Sequence, residues 1–285
     1  MKCFYHNDMD GRCAGSLVAQ FTNNYNPENY FEVDYRNPLP IDKVSIGEDV
    51  YIVDYSFTCN TVGVLAELIN LKCNVVWIDH HKSSIELMKN PDYAWLHNIP
   101  GVRNSNASGA LLTYLHFNCV SSSEAPMYIR YVDDYDRWIY AFGDNTVYFK
   151  LGLETHPYDA LDSIWIDLST KDVAVLKLVA AGELIKKYID MDNAQYLSDF
   201  GYESEIAGYK CYVINRRSNS WIFGDKIKQY PIVATWVYDG NRYQYSLYSS
   251  FENVDCSKIA EQFGGGGHKG AAGFQSDKLL LTKLS

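Results

Sequence analysis

The sequence contains no CxxC pair, and its seven cysteines are an odd number scattered singly from Cys3 to Cys256. That pattern excludes a zinc knuckle and a closed disulfide frame, and fits reduced thiols acting as small apolar side chains. No run approaches the roughly 18 apolar residues that a membrane-spanning helix needs. Only Met1 to Tyr5 precede the first histidine, too little for the apolar stretch of a secretory signal. A soluble, cytoplasmic protein with no membrane partner is therefore expected. Basic charge is also scarce: 25 Lys and Arg against 35 Asp and Glu leave a net charge of −10. Such a balance argues against a surface that follows long nucleic acid through many phosphate contacts. There is no internal repeat, and low complexity is confined to Gly264–Gly267.

What is present is an ordinary globular composition, 47% hydrophobic and 21% charged, with enough apolar surface for a real core. A length of 285 residues favours two domains. Charge and texture place the division near residue 200. Residues 201–285 hold 10 Lys and Arg and 8 Asp and Glu, a charge of +2, so that residues 1–200 carry −12.

The first third reads as strand-then-helix units, each strand short, apolar and followed at once by polar residues. Lys2–Tyr5 leads into His6-Asn7-Asp8-Met9-Asp10-Gly11 and a helical pattern with Ala14, Leu17, Val18 and Phe21 on one face. Val50–Val53 ends in Asp54 before a helix over 62–71, and Asn74–Ile78 ends in Asp79-His80-His81. The alternation predicts an α/β fold with a parallel sheet, right-handed crossovers and flanking helices. Ligands of such sheets bind beyond the carboxyl ends of the strands, where all three polar clusters fall, so the clusters are expected to converge. A further helix is predicted from about Pro126 to Tyr140, with Tyr128, Val132, Tyr135 and Ile139 on one stripe, and carries Asp133, Asp134 and Asp136. Residues 146–200 read as mostly helical. After 201 the texture turns to strands, with a hairpin at Asp239-Gly240-Asn241 and a helix from Cys256 to Phe263, a smaller α/β domain.

His6, Asp8, Asp10, Asp54, Asp79, His80, His81 and Asp136 supply carboxylate and imidazole donors suited to Mn²⁺, Mg²⁺, Fe²⁺ or Zn²⁺. Asp8 and Asp10, two apart at an extended strand end, project the same way and can share a cation pair. So dense a group of anions repels itself unless cations compensate it. Two divalent cations about 3.5–4 Å apart activate water as hydroxide and neutralise a phosphoryl group under attack, which points to phosphoester hydrolysis. A lone Asp after a strand is more often a turn residue, but three strands in succession ending in ligand types are not explained that way.

HNDMDG (6–11), Asp54 in IVDYSF, IDHH (78–81) and Asp136 in YDRW resemble the four motifs of the DHH phosphoesterase superfamily, and GGGGHKGAAG (264–273) resembles the signature of its companion DHHA1 domain. The order covers nearly the whole chain and is most similar to the oligoribonuclease (nanoRNase) branch. The resemblance implies a DHH domain over 1–200, with a helical connector at its end, and a substrate-binding DHHA1 domain over 201–285. It implies two divalent cations, usually manganese, held by His6, Asp8, Asp10, Asp54, His80 and Asp136, with Asp54 as the bridge. His81 would contact the scissile phosphate or assist the leaving group, and Asp79 would orient a histidine. Asp133 and Asp134 stand as alternatives to Asp136. The substrate implied is a short oligonucleotide or a dinucleotide cleaved to nucleoside monophosphates, with a homodimer allowed. The alternatives are a phosphomonoesterase acting on a nucleotide such as 3'-phosphoadenosine 5'-phosphate and a nucleotide-binding protein without turnover.

The glycine run formally contains GxGxxG, but it follows a helix rather than a strand, and no crossover helix follows it. It reads instead as a loop in which Gly265, Gly266 and Gly267 let backbone amides approach a phosphate or sugar, with His268 and Lys269 adding charge. Relatives of the DHHA1 type often carry an arginine in the preceding strand, where this chain has Tyr248. Arg216 or Arg217 could replace that clamp, or Tyr248 could stack on a base. Ser105, Asn106 and Ser108 precede a helix over 109–117 and either cap it or present its amides to a phosphate.

Overall fold

The computed structural model describes residues 1–284 and divides into two compact units, Met1–Lys186 and Lys187–Ser285. The first unit contains β1 (Lys2–His6), α1 (Met9–Thr22), β2 (Tyr30–Val33), β3 (Asp49–Val53), α2 (Gly63–Asn70), β4 (Asn74–Ile78), α3 (Lys82–Lys89), α4 (Gly109–Asn118), α5 (Met127–Asp136), α6 (Asp144–Leu153) and α7 (Ser163–Thr170). The long helix α8 (Asp172–Phe200) continues past the division. In the second unit follow β5 (Tyr202–Ile206), β6 (Tyr209–Asn215), β7 (Ile232–Tyr238), β8 (Tyr243–Tyr248), α9 (Cys256–Glu261), β9 (Gly266–His268) and β10 (Ala271–Ser276). The class is α/β, as the alternation of strands and helices predicts.

The first sheet is wholly parallel in the order β2-β1-β3-β4. The inner residues of β1, β3 and β4 are mostly buried, because both faces are covered. Tyr5, Val53 and Ile78 pack under Leu17, Leu111 and Tyr128 of α1, α4 and α5 on one face. On the other, Phe4, Ile52 and Trp77 pack with Leu65 and Leu68 of α2. The chain leaves β1 toward β2 on one side and later enters β3 on the other, so the strand order reverses between β1 and β3. Tyr5 pairs with Val53 and Val53 with Ile78, which places the residues after these three strands side by side.

The predicted helix over 126–140 ends at Asp136, because Trp138 and Tyr140 adopt left-handed backbone conformations, φ 57° and 54°. Tyr128 and Val132 lie in the core, whereas Ile139 is exposed.

The second unit is one six-stranded sheet, β5-β6-β7-β8-β10-β9, parallel only between β6 and β7. The division lies inside α8 rather than near residue 200. The last turns of that helix are fastened to the second unit: Tyr196 and Leu197 pack on the cluster of Ile214, Ile222, Phe223 and Val233, and the Tyr196 hydroxyl donates to the carbonyl of Asn215 at 3.0 Å. The glycine run also differs from the expected loop. Gly266–His268 forms β9, an exposed edge strand on β10. A side chain at Gly265 would begin 2.2 Å from the Gly273 carbonyl oxygen, and one at Gly267 2.6 Å from the Cα of Ala272. The glycines permit a close strand pairing.

Candidate metal centre

The ends of β1, β3 and β4, together with the end of α5, bring six donor side chains together. Asp54 follows β3 directly in a left-handed conformation (φ 54°), fixed by its amide donating to the Ile78 carbonyl at 2.8 Å. Non-glycine residues rarely adopt such backbone angles except where the surroundings impose them, often at functional sites. The turn points the carboxylate inward, where it is 1% exposed. Nδ1 of His6 lies 2.7 Å from Asp8 and 3.9 Å from Asp54. Nε2 of His80 lies 3.2 Å from Asp54, 3.5 Å from Asp136 and 3.7 Å from Asp10. Asp136 arrives from the last residue of α5.

Three clusters have donor atoms lying within 4.8 Å of one another: His6, Asp8 and Asp54; Asp54, His80 and His81; and Asp10, His80 and Asp136. Asp54 belongs to two of them and His80 to two, so the clusters form one continuous centre.

Asp8 and Asp10 do not sit on an extended strand end, as their spacing suggests. Asp8 is the N-cap of α1, accepting the Gly11 amide at 2.9 Å, and Asp10 lies in the first turn. Both still face the centre because α1 starts close under β1. A Cβ at Gly11 would fall 2.2 Å from the His6 carbonyl oxygen.

Asp10 is held from the far side of the chain. The amides of Gly109 and Ala110 at the start of α4 donate to its two carboxylate oxygens at 2.6 and 2.9 Å. A helix N-terminus is a natural anion site, and here a carboxylate of the protein fills it. Ser108 caps the same helix and its amide donates to Asp133 at 2.7 Å. Ser105 and Asn106 lie exposed in the preceding turn. Gly109 is required by proximity, since a Cβ there would begin 2.5 Å from that of Asp54.

Asp79 is fully buried and oriented by the backbone. One oxygen accepts the amides of His80 and His81 and lies 2.6 Å from Nδ1 of His81. This contact sets the ring of His81. Asp134, by contrast, turns away from the centre and accepts from Ala141, Phe142 and Thr146.

The electrostatics follow from crowding. Burial, then Asp10 and Asp8, pushes the Asp54 carboxyl well above the usual carboxylate range. Burial also raises Asp10, against the pull of His80. Asp136 is pushed up to about 9 by burial and then by Asp10, Asp8 and Asp133. Burial opposes ionisation of Asp8 too, but the His6 ring and the Gly11 amide outweigh it and hold Asp8 below its usual value. Burial disfavours protonated His81, yet Asp79 more than compensates and raises its pKa.

Both carboxylate oxygens of Asp54 and Oδ2 of Asp136 are buried with no hydrogen-bond partner. Orphaned buried oxygens are costly, and cations satisfy them. The oxygen and nitrogen donor set, free of thiolates, fits divalent cations.

Sequence reasoning missed Tyr35. Its ring lies 5.1 Å from that of His6 and stacks at 5.0 Å on Tyr55. No periodicity marks it, because it stands in an irregular segment after β2.

In the second unit, Arg216 binds Asp192 at 2.6 Å and lies 4.7 Å over the Tyr196 ring, while its Nη1 is buried without a partner. With Arg217, Ser218, Thr235, Gln244 and Ser246 it lines a cavity of about 390 Å³. Tyr248 packs on the sheet face and donates its hydroxyl to the Ser218 carbonyl at 3.3 Å. His268 lies on β9, and the Lys269 carbonyl accepts the Cys256 amide at 2.8 Å.

Residues 223–284 match the DHHA1 domain. The chain is 27% identical over 249 residues to an uncharacterized protein of Acanthamoeba polyphaga mimivirus, covering 82% of this chain and 54% of that protein. It thus spans about half the length of the curated relative it matches. Among solved structures it is similar to the pGpG-specific phosphodiesterase PggH from Vibrio cholerae, with a TM-score of 0.53, 14% identity, and coverage of 97% of this chain and 92% of that one. It is also similar to the DHH domain of a protein placed in a family of ribosomal proteins, with a TM-score of 0.54, 15% identity, and coverage of 95% and 81%. At these identities the likeness is one of fold. Among the described residues no helix is long and apolar enough to cross a membrane.

Proposed function

We propose that the chain is a metal-dependent phosphodiesterase that hydrolyses short oligonucleotides or dinucleotides to nucleoside monophosphates. The observation that carries this reading is Asp54, buried with both oxygens unpartnered between His6 and Asp8 on one side and His80 on the other. Six residues, His6, Asp8, Asp10, Asp54, His80 and Asp136, would hold two divalent cations, with manganese first among them because the resemblance to DHH phosphoesterases implies it. When bound, such a pair supplies a nucleophile from water at neutral pH and neutralises charge on a phosphoryl group.

The protein's own groups supply the rest. Amides of Gly109 and Ala110 fix Asp10, and the Ile78 carbonyl fixes the backbone of Asp54, so the donors are set before a substrate arrives. Asp79 anchors His81 through Nδ1, leaving the other ring nitrogen to contact the scissile phosphate or to give a proton to the leaving oxygen. In the second unit, the unpartnered Nη1 of Arg216 offers a charge-assisted hydrogen bond to an anionic substrate group. Gly265, Gly266, Gly267, His268 and Lys269 offer backbone and charge along an exposed strand edge, with Tyr248 beside them on the sheet and Ser105 exposed before α4. The match of residues 223–284 to the DHHA1 domain and the fold likeness to a pGpG-specific phosphodiesterase support the same reading. A net charge of −10 suits a substrate with few phosphates.

The test is a manganese-supplemented assay on substrates of about two to ten nucleotides, with Asp54→Asn as the inactive control. Turnover that falls steeply with length and vanishes in the variant is the expected result. Preferential release of phosphate from 3'-phosphoadenosine 5'-phosphate would replace the reading with a phosphomonoesterase. Tight binding without turnover in either protein would replace it with a nucleotide-binding function.

A further inference from the structure

The second sheet is parallel only between β6 and β7, where Asn215 lies opposite Trp236. Ligands of parallel strands bind beyond their carboxyl ends, and that end of this pair holds the cavity of about 390 Å³ described above. Arg216, Arg217 and Ser218 line it directly after β6. Thr235 of β7 and Ser246 of β8 are cross-strand partners, so their side chains share one face of the sheet.

What these residues still offer is hydrogen-bond donors. Thr235 is only 3% exposed, yet among the described residues neither its hydroxyl nor those of Ser218 and Ser246 has a hydrogen-bond partner. Hidden polar groups of this kind are costly unless a ligand or solvent satisfies them. Arg217 is exposed and, among the described residues, makes no ion pair. Arg216 gives one nitrogen to Asp192 and keeps Nη1 buried without a partner. The carboxylate in the lining, Asp239, is already engaged: it accepts the amides of Asn241 and Arg242, both at 2.8 Å, and the Gln244 carboxamide at 2.6 Å. A cation would find no free carboxylate here, whereas an oxyanion would find two guanidinium groups and three hydroxyls.

We propose that this cavity is a phosphate-monoester subsite of the second unit, with Arg217, Thr235 and Ser246 as its donors. The terminal phosphate of a short oligonucleotide and free inorganic phosphate share that chemistry. The subsite itself stands on the residues of the second unit; its assignment to the end of a substrate rests on the phosphodiesterase reading above.

The experiment has two arms, each run on the full chain as wild type, Arg217→Gln and Thr235→Val. In chelator, where the crowded acids of the first unit repel anions, calorimetric titration with inorganic phosphate reads the subsite without turnover. Each substitution should raise the dissociation constant about 10-fold. In the manganese-supplemented assay, the second arm takes the ratio of kcat/KM for a dinucleotide with a 5'-terminal phosphate to that for the same dinucleotide without it. A ratio that falls about 10-fold in the variants assigns the cavity to the end of the substrate, and a change confined to phosphate titration assigns it to free phosphate. If Thr235→Val fails to fold, the exposed Arg217 still decides the matter. A wild type that neither binds phosphate nor prefers the phosphorylated dinucleotide, or variants that leave both arms unchanged, overturns the subsite and leaves the phosphodiesterase reading intact. A wild type that binds phosphate but cleaves neither dinucleotide overturns that reading and keeps the subsite.

Discussion

Asp54 at the strand ends and Asp134 at the corner of α5 and α6 are equally hidden from water, at 1% and 2% exposure. Their surroundings are opposite. Asp134 accepts the amides of Ala141 and Phe142 at 2.8 and 3.3 Å and the Thr146 hydroxyl, and so holds together a turn with two left-handed residues, Trp138 and Tyr140. The carboxylate oxygens of Asp54 accept no hydrogen bond, imidazole nitrogens of His80 and His6 lie near them, and other acids crowd it. Burial alone therefore does not mark a chemical site. A buried acid whose oxygens are all used builds the fold, and one whose oxygens are all free is waiting for a ligand.

The largest expected effect separates these two acids by function. Asp54→Asn should lower divalent cation affinity and phosphodiester hydrolysis by about 10³-fold or more. It should also raise the melting temperature of the metal-free protein, since an uncompensated buried acid is removed. Calorimetric titration with Mn²⁺ and a thermal scan in chelator check both halves. A metal-free protein that melts lower after this change would break the contrast.

Asp134→Ala should do the reverse. It strips three donors of their acceptor and should cost on the order of 3 kcal/mol in denaturant unfolding, with cation affinity of the folded protein nearly unchanged. A loss of cation affinity larger than the loss of stability would place Asp134 in the centre after all.

Gly109→Ala tests how tightly the strand-end region is packed. The added methyl meets Asp54 and should cost about 1–3 kcal/mol, with a measurable rise in the Mn²⁺ dissociation constant. Equal stability would mean that α4 can shift away from Asp54.

The smallest effect is a pH slope. Folding shifts the carboxyls of Asp54, Asp10 and Asp136 upward from the unfolded chain's ordinary range near about pH 4. Between that pH and about 9, where Asp136 ionises in the folded protein, stability should fall as pH rises, because the folded state binds more protons than the unfolded one. Melting temperatures in chelator should decline across this window, and saturating Mn²⁺ should flatten or invert the decline. A flat profile in chelator would contradict the crowding of acids around Asp54.

The strand-end clusters were legible in the sequence because each donor directly follows an apolar run. The register of β1, β3 and β4 then aligns them without further information. Asp136 was legible only through its motif, since Asp133 and Asp134 share its helix and only the close of α5 selects among the three. The partners of Asp10 were not legible: Gly109 and Ala110 reach it through tertiary packing, which no local pattern encodes. Tyr35 stayed hidden for the same reason. The glycine run was read as a loop because glycine-rich segments usually are one, whereas here the missing side chains let β9 lie against β10.

The backbone at Asp54 has a consequence for how this position tolerates change. A left-handed conformation admits asparagine, aspartate and glycine far more readily than branched or bulky residues, and the Gly109 backbone leaves little room beside it. A saturation library at this codon, sorted only for soluble expression, should return survivors confined almost entirely to those three amino acids. Two independent selections, one on shape and one on chemistry, thus converge on a single letter of the sequence.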